Sequence, residues 1–252
     1  KWLDRTDDAA VALERVLALL PRTGARETEH RAYALDNLAH VREAQGRWDE
    51  AQETAARAQA AFVALNGARH PTSLAVGAYA ASLQLMRGHA QAARDGYVAV
   101  LDGQRGLLAA NDRRLTNTET SLARVWLRLG EPANAQPLVD AALARCDASF
   151  GGDRTTCPMT VQTAGEWQAA HGDAARGIAL LREAVALRDA DPQPTARAQG
   201  IARHALARAL CGTGRGDEGR ALMRSVLPGL LSDPHVGPGD RQYLESSATG
   251  CL

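Results

Sequence analysis

Four cysteines are the residues with the most readily assigned chemistry in this 252-residue chain: Cys146, Cys157, Cys211 and Cys251. Two disulfide bonds are one use for them, and free thiols, with Cys211 as a small core residue, are the alternative. A zinc site is disfavoured because the sequence has no C-x-x-C pair and no histidine clusters with the cysteines. We therefore predict no metal site.

Motifs for catalysis are absent from the sequence. There is neither a G-x-x-x-x-G-K-[ST] phosphate loop nor an H-E-x-x-H pair. His40 and Glu43 have the i, i+3 spacing of an acid–base pair, but such pairs are mostly contacts on a helix surface. The glycines of "GRGDEG" (Gly214 to Gly219) are expected between two helices, where they form a turn. The sequence predicts a non-catalytic chain without a cofactor.

A ladder of glycines with a step of 42 residues indicates the elements that position these side chains. Its members are Gly46, Gly88, Gly130, Gly172 and Gly214. Two columns of small residues keep the same step. Seven residues before each glycine stand Ala39, Ala81, Ala123, Gly165 and Ala207, and five residues after each stand Ala51, Ala93, Ala135, Gly177 and Gly219. A period between 20 and 50 residues is typical of repeat proteins.

Each repeat is predicted to be a pair of helices joined by a tight turn. In the first unit, Ala34 to Gln45 has apolar residues at helical spacing, and Gly46 then ends the helix with a positive φ. Trp48 opens the second helix. The small columns lie where the two helices should cross, because small side chains permit close approach.

The ladder also sets the predicted boundaries. Extended backwards, it puts a turn at Asp4, so residues 1–29 are expected to be the second half of a truncated repeat, with further chain upstream. Five repeats then fill 30–231. A Pro/Gly-rich stretch, Leu231 to Asp240, precedes a short helical pattern from Arg241 to Ser247. Residues 232–252 are therefore expected to be a linker and a helix that caps the last apolar face.

The segments "NLAHVREAQGRWDEAQETAARA" (Asn37 to Ala58) and "SLARVWLRLGEPANAQPLVDAA" (Ser121 to Ala142) resemble the tetratricopeptide-repeat (TPR) signature. The 42-residue step and the "GARHP" linker (Gly67 to Pro71) are similar to the longer kinesin-light-chain-like subtype. The resemblance covers nearly the whole chain. It implies an all-α, right-handed superhelical solenoid of helix pairs.

In this family the first helix of each pair lines a concave groove that binds peptides or partner segments. The resemblance implies these groove residues: Tyr33, Asn37, His40, Tyr79, Ser82, Asn117, Ser121, Arg124, Gln162, Glu166, His204 and Arg208. Their mixed polarity suits a protein, an extended peptide or a small polar ligand, and a solvated face is the alternative for each. One family variant clamps a carboxylate with groove lysines. The absence of lysine from these positions argues against that chaperone-tail adaptor.

The repeat also predicts which cysteines meet. Cys146 is expected at the end of a second helix and Cys157 just before the next helix, so the pair would close the intervening loop. Cys251 is expected at nearly the height of Cys211. Both pairs should come within bridging distance, and two disulfides would indicate an oxidising compartment such as the periplasm.

Charge and hydropathy limit the possible partners. Lys and Arg total 29 and Asp and Glu total 29, so no basic footprint for nucleic acid is present. No apolar run reaches the length of a membrane span.

The chain resembles the C-terminal repeat regions of bacterial receptor-like serine/threonine kinases, which implies an extracytoplasmic sensor domain regulating an upstream kinase. The alternatives are a cytoplasmic interaction scaffold and an inert spacer. A homodimer formed through the N-terminal half-repeat is also open.

Overall fold

The computed structural model describes residues 2–20, 25–149 and 153–252, which form twelve α-helices and no β-strand. Lys1 and residues 21–24, in the predicted truncated repeat, and residues 150–152, in the loop between Cys146 and Cys157, lie outside the described residues. The chain divides into two compact units, Lys1–Leu107 (unit 1) and Leu108–Leu252 (unit 2).

Unit 1 contains five helices. They are α1 (Trp2–Leu19), α2 (Ala25–Ala44), α3 (Trp48–Asn66), α4 (Pro71–Met86) and α5 (Ala90–Arg105). Helix α2 packs mainly on α3, and α4 packs mainly on α5. The Gly67 to Pro71 linker ends α3 with Gly67 at φ 85° and starts α4 with the His70 side chain, whose Nδ1 accepts from the Thr72 amide at 3.2 Å.

Unit 2 contains seven helices. They are α6 (Arg113–Arg128), α7 (Pro132–Ser149), α8 (Pro158–His171), α9 (Ala174–Asp189), α10 (Ala196–Cys211), α11 (Gly216–Ser232) and α12 (Pro238–Ala248). Here α6 pairs with α7, α8 with α9 and α10 with α11. With the two pairs of unit 1, these make five helix pairs, so the predicted all-α repeat fold is confirmed.

The turn predicted at Asp4 is wrong. Helix α1 runs through that position without a break, from Trp2 to Leu19. The projected position holds aspartate rather than the glycine that stands at the other five turns, and an L-residue there can continue the helix.

All five glycines of the ladder lie between the two helices of a pair, and three of them have a positive φ. Gly46, Gly88 and Gly130 have φ of 72°, 90° and 75°, the left-handed conformation in which glycine alone is unstrained. Gly172 differs in geometry, since it ends α8 at φ −131°. Gly214 differs in position, since α10 already ends at Cys211 and Gly212 is its cap.

The small columns are the contact points within the pairs. Their alanines are almost fully buried. At the glycines the backbones approach more closely still. A Cβ on Gly177 would lie 2.3 Å from the backbone nitrogen of Ala169, and one on Gly219 would lie 2.8 Å from the Ala207 carbonyl oxygen. A side chain of any size would therefore separate these helices.

Helix α12 covers the apolar end of the last pair. Leu244, Ala248 and Cys251 pack into one core cluster with Met223 and Leu227 of α11. The Arg241 side chain stabilises the linker between α11 and α12. Its guanidinium donates to the carbonyl oxygens of Leu231, Asp233 and Val236 at 3.1–3.2 Å.

The close approach at Gly177 can be tested by a pair of glycine substitutions. We expect Gly177→Ala to lower the free energy of unfolding by roughly 1–3 kcal/mol, because the new methyl overlaps backbone atoms of α8. The matched control is Gly229→Ala in α11, where a Cβ meets nothing within 4 Å. That change should raise the free energy of unfolding by roughly 0.5–1 kcal/mol. Denaturant unfolding of both variants measures the difference, and equal effects would contradict the packing described.

Candidate binding site

Three of the predicted groove residues of unit 1, His40, Tyr79 and Ser82, form a small cluster with Glu43. The rings of His40 and Tyr79 stack with their centroids 3.8 Å apart. The Tyr79 hydroxyl donates to Glu43 Oε2 at 2.9 Å, and Ser82 Oγ donates to the Tyr79 carbonyl at 2.8 Å. Burial and the nearby Glu43 carboxylate raise the pKa of Tyr79. The tyrosine is therefore a neutral hydrogen-bond donor.

Tyr33 and Asn37 lie on the same helix as His40 and are exposed. The Tyr33 ring meets the edge of Phe62 at 5.0 Å between centroids and keeps 46% of its surface open. His40 Nδ1 lies 3.9 Å from Glu43 Oε2. Since that oxygen already accepts from Tyr79, this i, i+3 contact is a structural one.

In unit 2, five of the seven predicted groove residues line a single pocket. They are Arg124, Gln162, Glu166, His204 and Arg208. Arg124, Glu166 and Arg208 stand at steps of 42 residues on α6, α8 and α10, so the repeat places their side chains side by side. Asn117, which is exposed, and Ser121, which is half-buried, are not among the lining residues of this pocket.

Helix α12 supplies one wall of the pocket, a role that the sequence reasoning missed. Tyr243 and Asp240 line the pocket together with Arg128 of α6. The Arg128 guanidinium forms a close ion pair with Asp240 and stands 4.4 Å from the Tyr243 ring centroid. The sequence did contain an indication of this role. Tyr243 lies five 42-residue steps after Tyr33, so it occupies the repeat position of a predicted groove residue.

Hydrogen bonds connect the polar side chains of the pocket. Arg208 Nη1 donates to the Tyr243 hydroxyl at 2.6 Å and lies 3.9 Å from Glu166 Oε2. Gln162 Nε2 donates to Glu166 Oε1 at 2.8 Å. Arg124 Nη1 donates to the Met159 sulfur at 3.4 Å, and no carboxylate of the described residues lies within ion-pair distance of it. Arg128 and Arg208 each lie near a carboxylate, so Arg124 is the arginine of this pocket whose charge is not compensated by an ion pair.

His204 is an uncharged member of the pocket. It is 2% exposed, and its Nε2 lies 3.2 Å from the Leu244 carbonyl oxygen of α12. A carbonyl oxygen only accepts, so Nε2 carries the proton and donates. Burial, with the neighbouring Arg208 charge, lowers the pKa of His204 to about 4. The imidazole is therefore neutral at pH 7.

Both predicted cysteine pairs lie within disulfide-bonding distance. The Cα atoms of Cys146 and Cys157 are 6.5 Å apart, at the end of α7 and the start of α8. The Cα atoms of Cys211 and Cys251 are 5.4 Å apart, joining the end of α10 to the residues after α12. The second pair holds α12 at the wall of the pocket.

The described residues contain neither a candidate membrane span nor a candidate metal site. None of the described helices combines the length and apolar character of a membrane span. In the same residues, no three His, Cys, Asp or Glu side chains gather in a way that could hold a metal ion.

The fold is similar to that of solved repeat proteins, although no family model and no curated protein matches the sequence. The nearly identical TPR-like repeats of a Podosopora anserina protein described as a kinesin light chain match with a TM-score of 0.60 and 20% identity, covering 80% of this chain and 95% of that one. BtubC from P. vanneervenii matches with a TM-score of 0.64 and 16% identity, covering 92% and 94%.

NprR, in complex with its cognate peptide NprX, matches with a TM-score of 0.67 and 12% identity, covering 98% of this chain and 71% of that one. Identities this low establish the fold alone. The chain therefore has the fold of tetratricopeptide-repeat proteins.

The buried His204 predicts a loss of stability in mild acid. The unfolded chain binds a proton with a pKa near 6.5, whereas the folded state binds it only near pH 4. Stability present above pH 6.5 is therefore lost as the pH falls towards 4, by up to about 3 kcal/mol. We expect His204→Gln, which keeps a donor for Leu244, to flatten this part of the pH profile. The exposed His30→Gln should leave it unchanged in urea unfolding between pH 4 and pH 7.

The Cys211–Cys251 pair makes a second stability prediction. When the protein is purified without reductant from an oxidising compartment, mass spectrometry should show two disulfides. Replacing both residues by serine should then lower the free energy of unfolding by about 3–4 kcal/mol, because the bond closes a loop with a sequence separation of 40. The Cys146 and Cys157 double variant, with a separation of 11, should lose less. Four free thiols in the oxidised preparation would contradict the pairing.

Proposed function

We propose that this chain is a recognition module that binds a peptide or a segment of a protein partner at the pocket of unit 2. One observation carries the proposal: the repeat brings Arg124, Glu166 and Arg208 from three successive first helices to one pocket, and α12 closes its end. Clefts that bind ligands combine apolar walls with a few convergent polar groups. This pocket has both.

The polar groups suit an extended peptide. Arg124 can donate to a carbonyl or carboxylate oxygen without breaking an ion pair. Gln162 and Tyr243 add amide and hydroxyl groups that can exchange their internal partners for backbone groups of a ligand. The likeness of fold to NprR, whose solved structure contains its cognate peptide, supports a peptide as the ligand class.

The second part of the proposal concerns the larger protein to which this module belongs. We propose an extracytoplasmic sensor domain of a bacterial signalling protein, in which binding regulates an upstream serine/threonine kinase. The two cysteine pairs support an oxidising compartment. The resemblance of the sequence to the repeat regions of receptor-like kinases supports the kinase. A cytoplasmic interaction scaffold remains the competing proposal, and the mass spectrometry of the cysteines separates the two.

Peptide binding can be tested with a library of random hexapeptides, displayed with free or amidated C-termini and selected on the immobilised chain. We expect the selected peptides to share a consensus sequence, and a peptide of that sequence to bind the chain in a fluorescence anisotropy titration. Arg124→Ala should weaken the affinity for this peptide by about tenfold or more, since a charge-assisted hydrogen bond contributes roughly 1.5–3 kcal/mol.

The matched control is Arg182→Ala, which removes an exposed arginine that pairs with Glu218 on α11. It should leave the affinity unchanged. Selection without a consensus would contradict peptide recognition. A consensus whose affinity is insensitive to Arg124→Ala and Arg208→Ala would contradict the location of the site.

A further inference from the structure

A second cavity lies against the Cys211–Cys251 pair. It has a volume of about 360 Å³ and is bounded by α8, α10 and the end of α12. This volume is in the range of clefts that bind ligands, about 300–1,000 Å³. Small residues form much of its wall, including Ala169, Ala170, Ala205 and Ala209. Because these side chains are short, the wall leaves room for a bulky group.

The charges at the edge of the cavity do not favour an ion. Glu166 and Arg208 are the two formally charged residues of its lining, and they lie 3.9 Å apart as an ion pair. Each is also hydrogen-bonded, Glu166 to Gln162 and Arg208 to Tyr243. The pair compensates its own charge, so an uncharged apolar group is the better occupant.

The cavity adjoins the pocket described above, with which it shares part of its lining. Leu127, Glu166, Ala205, Arg208 and Tyr243 line both. A peptide whose backbone meets the polar groups of the pocket can therefore place one side chain in the cavity. A free hydrocarbon would fill the cavity but form no hydrogen bond with the polar groups next to it.

We propose that the cavity is a specificity subsite that takes a large apolar side chain, such as phenylalanine or leucine, of the bound peptide. The proposal rests on the peptide-binding function proposed above and adds the class of side chain recognised. Tyr243, Ser247 and Cys251 make α12 and the residues after it one wall, so the subsite exists only while α12 is docked.

The subsite can be tested directly by NMR, because alanine methyl groups line the cavity and report on its occupation. The chain is labelled with ¹³C at alanine methyls, and N-acetyl-phenylalaninamide, N-acetyl-leucinamide and N-acetyl-alaninamide are titrated into it. We expect the methyl signals of Ala169, Ala170, Ala205 and Ala209 to shift with the first two compounds. The alanine compound should bind at least about tenfold more weakly, because it buries far less apolar surface. Toluene, which lacks amides, should also bind more weakly than the phenylalanine compound.

Cavity-filling variants complete the test. Ala209→Leu should abolish the shifts, and Ala170→Leu, at an exposed lining position, should do the same without disturbing the core. The matched control Ala179→Leu, on an exposed face of α9, should leave them unchanged. Shifts that are absent, equal for all compounds or confined to other methyls would overturn the subsite. If library peptides still bind through Arg124 in that case, the proposed function stands and only the subsite fails.

Discussion

Close packing within each helix pair is the constraint on which the rest of the structure depends. Gly165 and Gly177 let α8 and α9 approach so closely that an added Cβ would meet backbone atoms. Gly219 does the same for α10 and α11. Since the pairs of unit 2 repeat with a step of 42 residues, equivalent side chains on its first helices α6, α8 and α10 lie side by side. The polar pocket of unit 2 follows directly from this regularity.

Helix α12 links stability to the site. Its apolar residues cover the last pair, and the other side of the same helix offers Tyr243 to Arg208 and Asp240 to Arg128. His204 donates to its backbone, and the Cys211–Cys251 pair holds the residues that follow it. Any change that releases α12 therefore removes a wall of the pocket as well as a cap of the core.

The periodicity of small residues was sufficient to predict the helix pairs and which cysteines lie close together, because both follow from position along a regular repeat. It was not sufficient for contacts that depend on long side chains. Arg128 reaches Asp240 and Tyr243 of α12, and the buried Glu119 pairs with Arg145 of α7. A one-dimensional pattern gives the height of such residues but not the direction of their side chains. Nor does it give the geometry of each turn: Gly172 caps α8 at φ −131°, and Gly212 rather than Gly214 caps α10.

The central claim is that a peptide binds at the pocket lined by the first helices of unit 2 and by α12. A crystal structure of the chain with its tightest library peptide tests this most directly. The account predicts a peptide within hydrogen-bonding distance of Arg124 and Tyr243, with an apolar side chain against Ala205 and Ala209. A peptide bound elsewhere on unit 2, or on unit 1 beside Tyr33 and Tyr79, would contradict it.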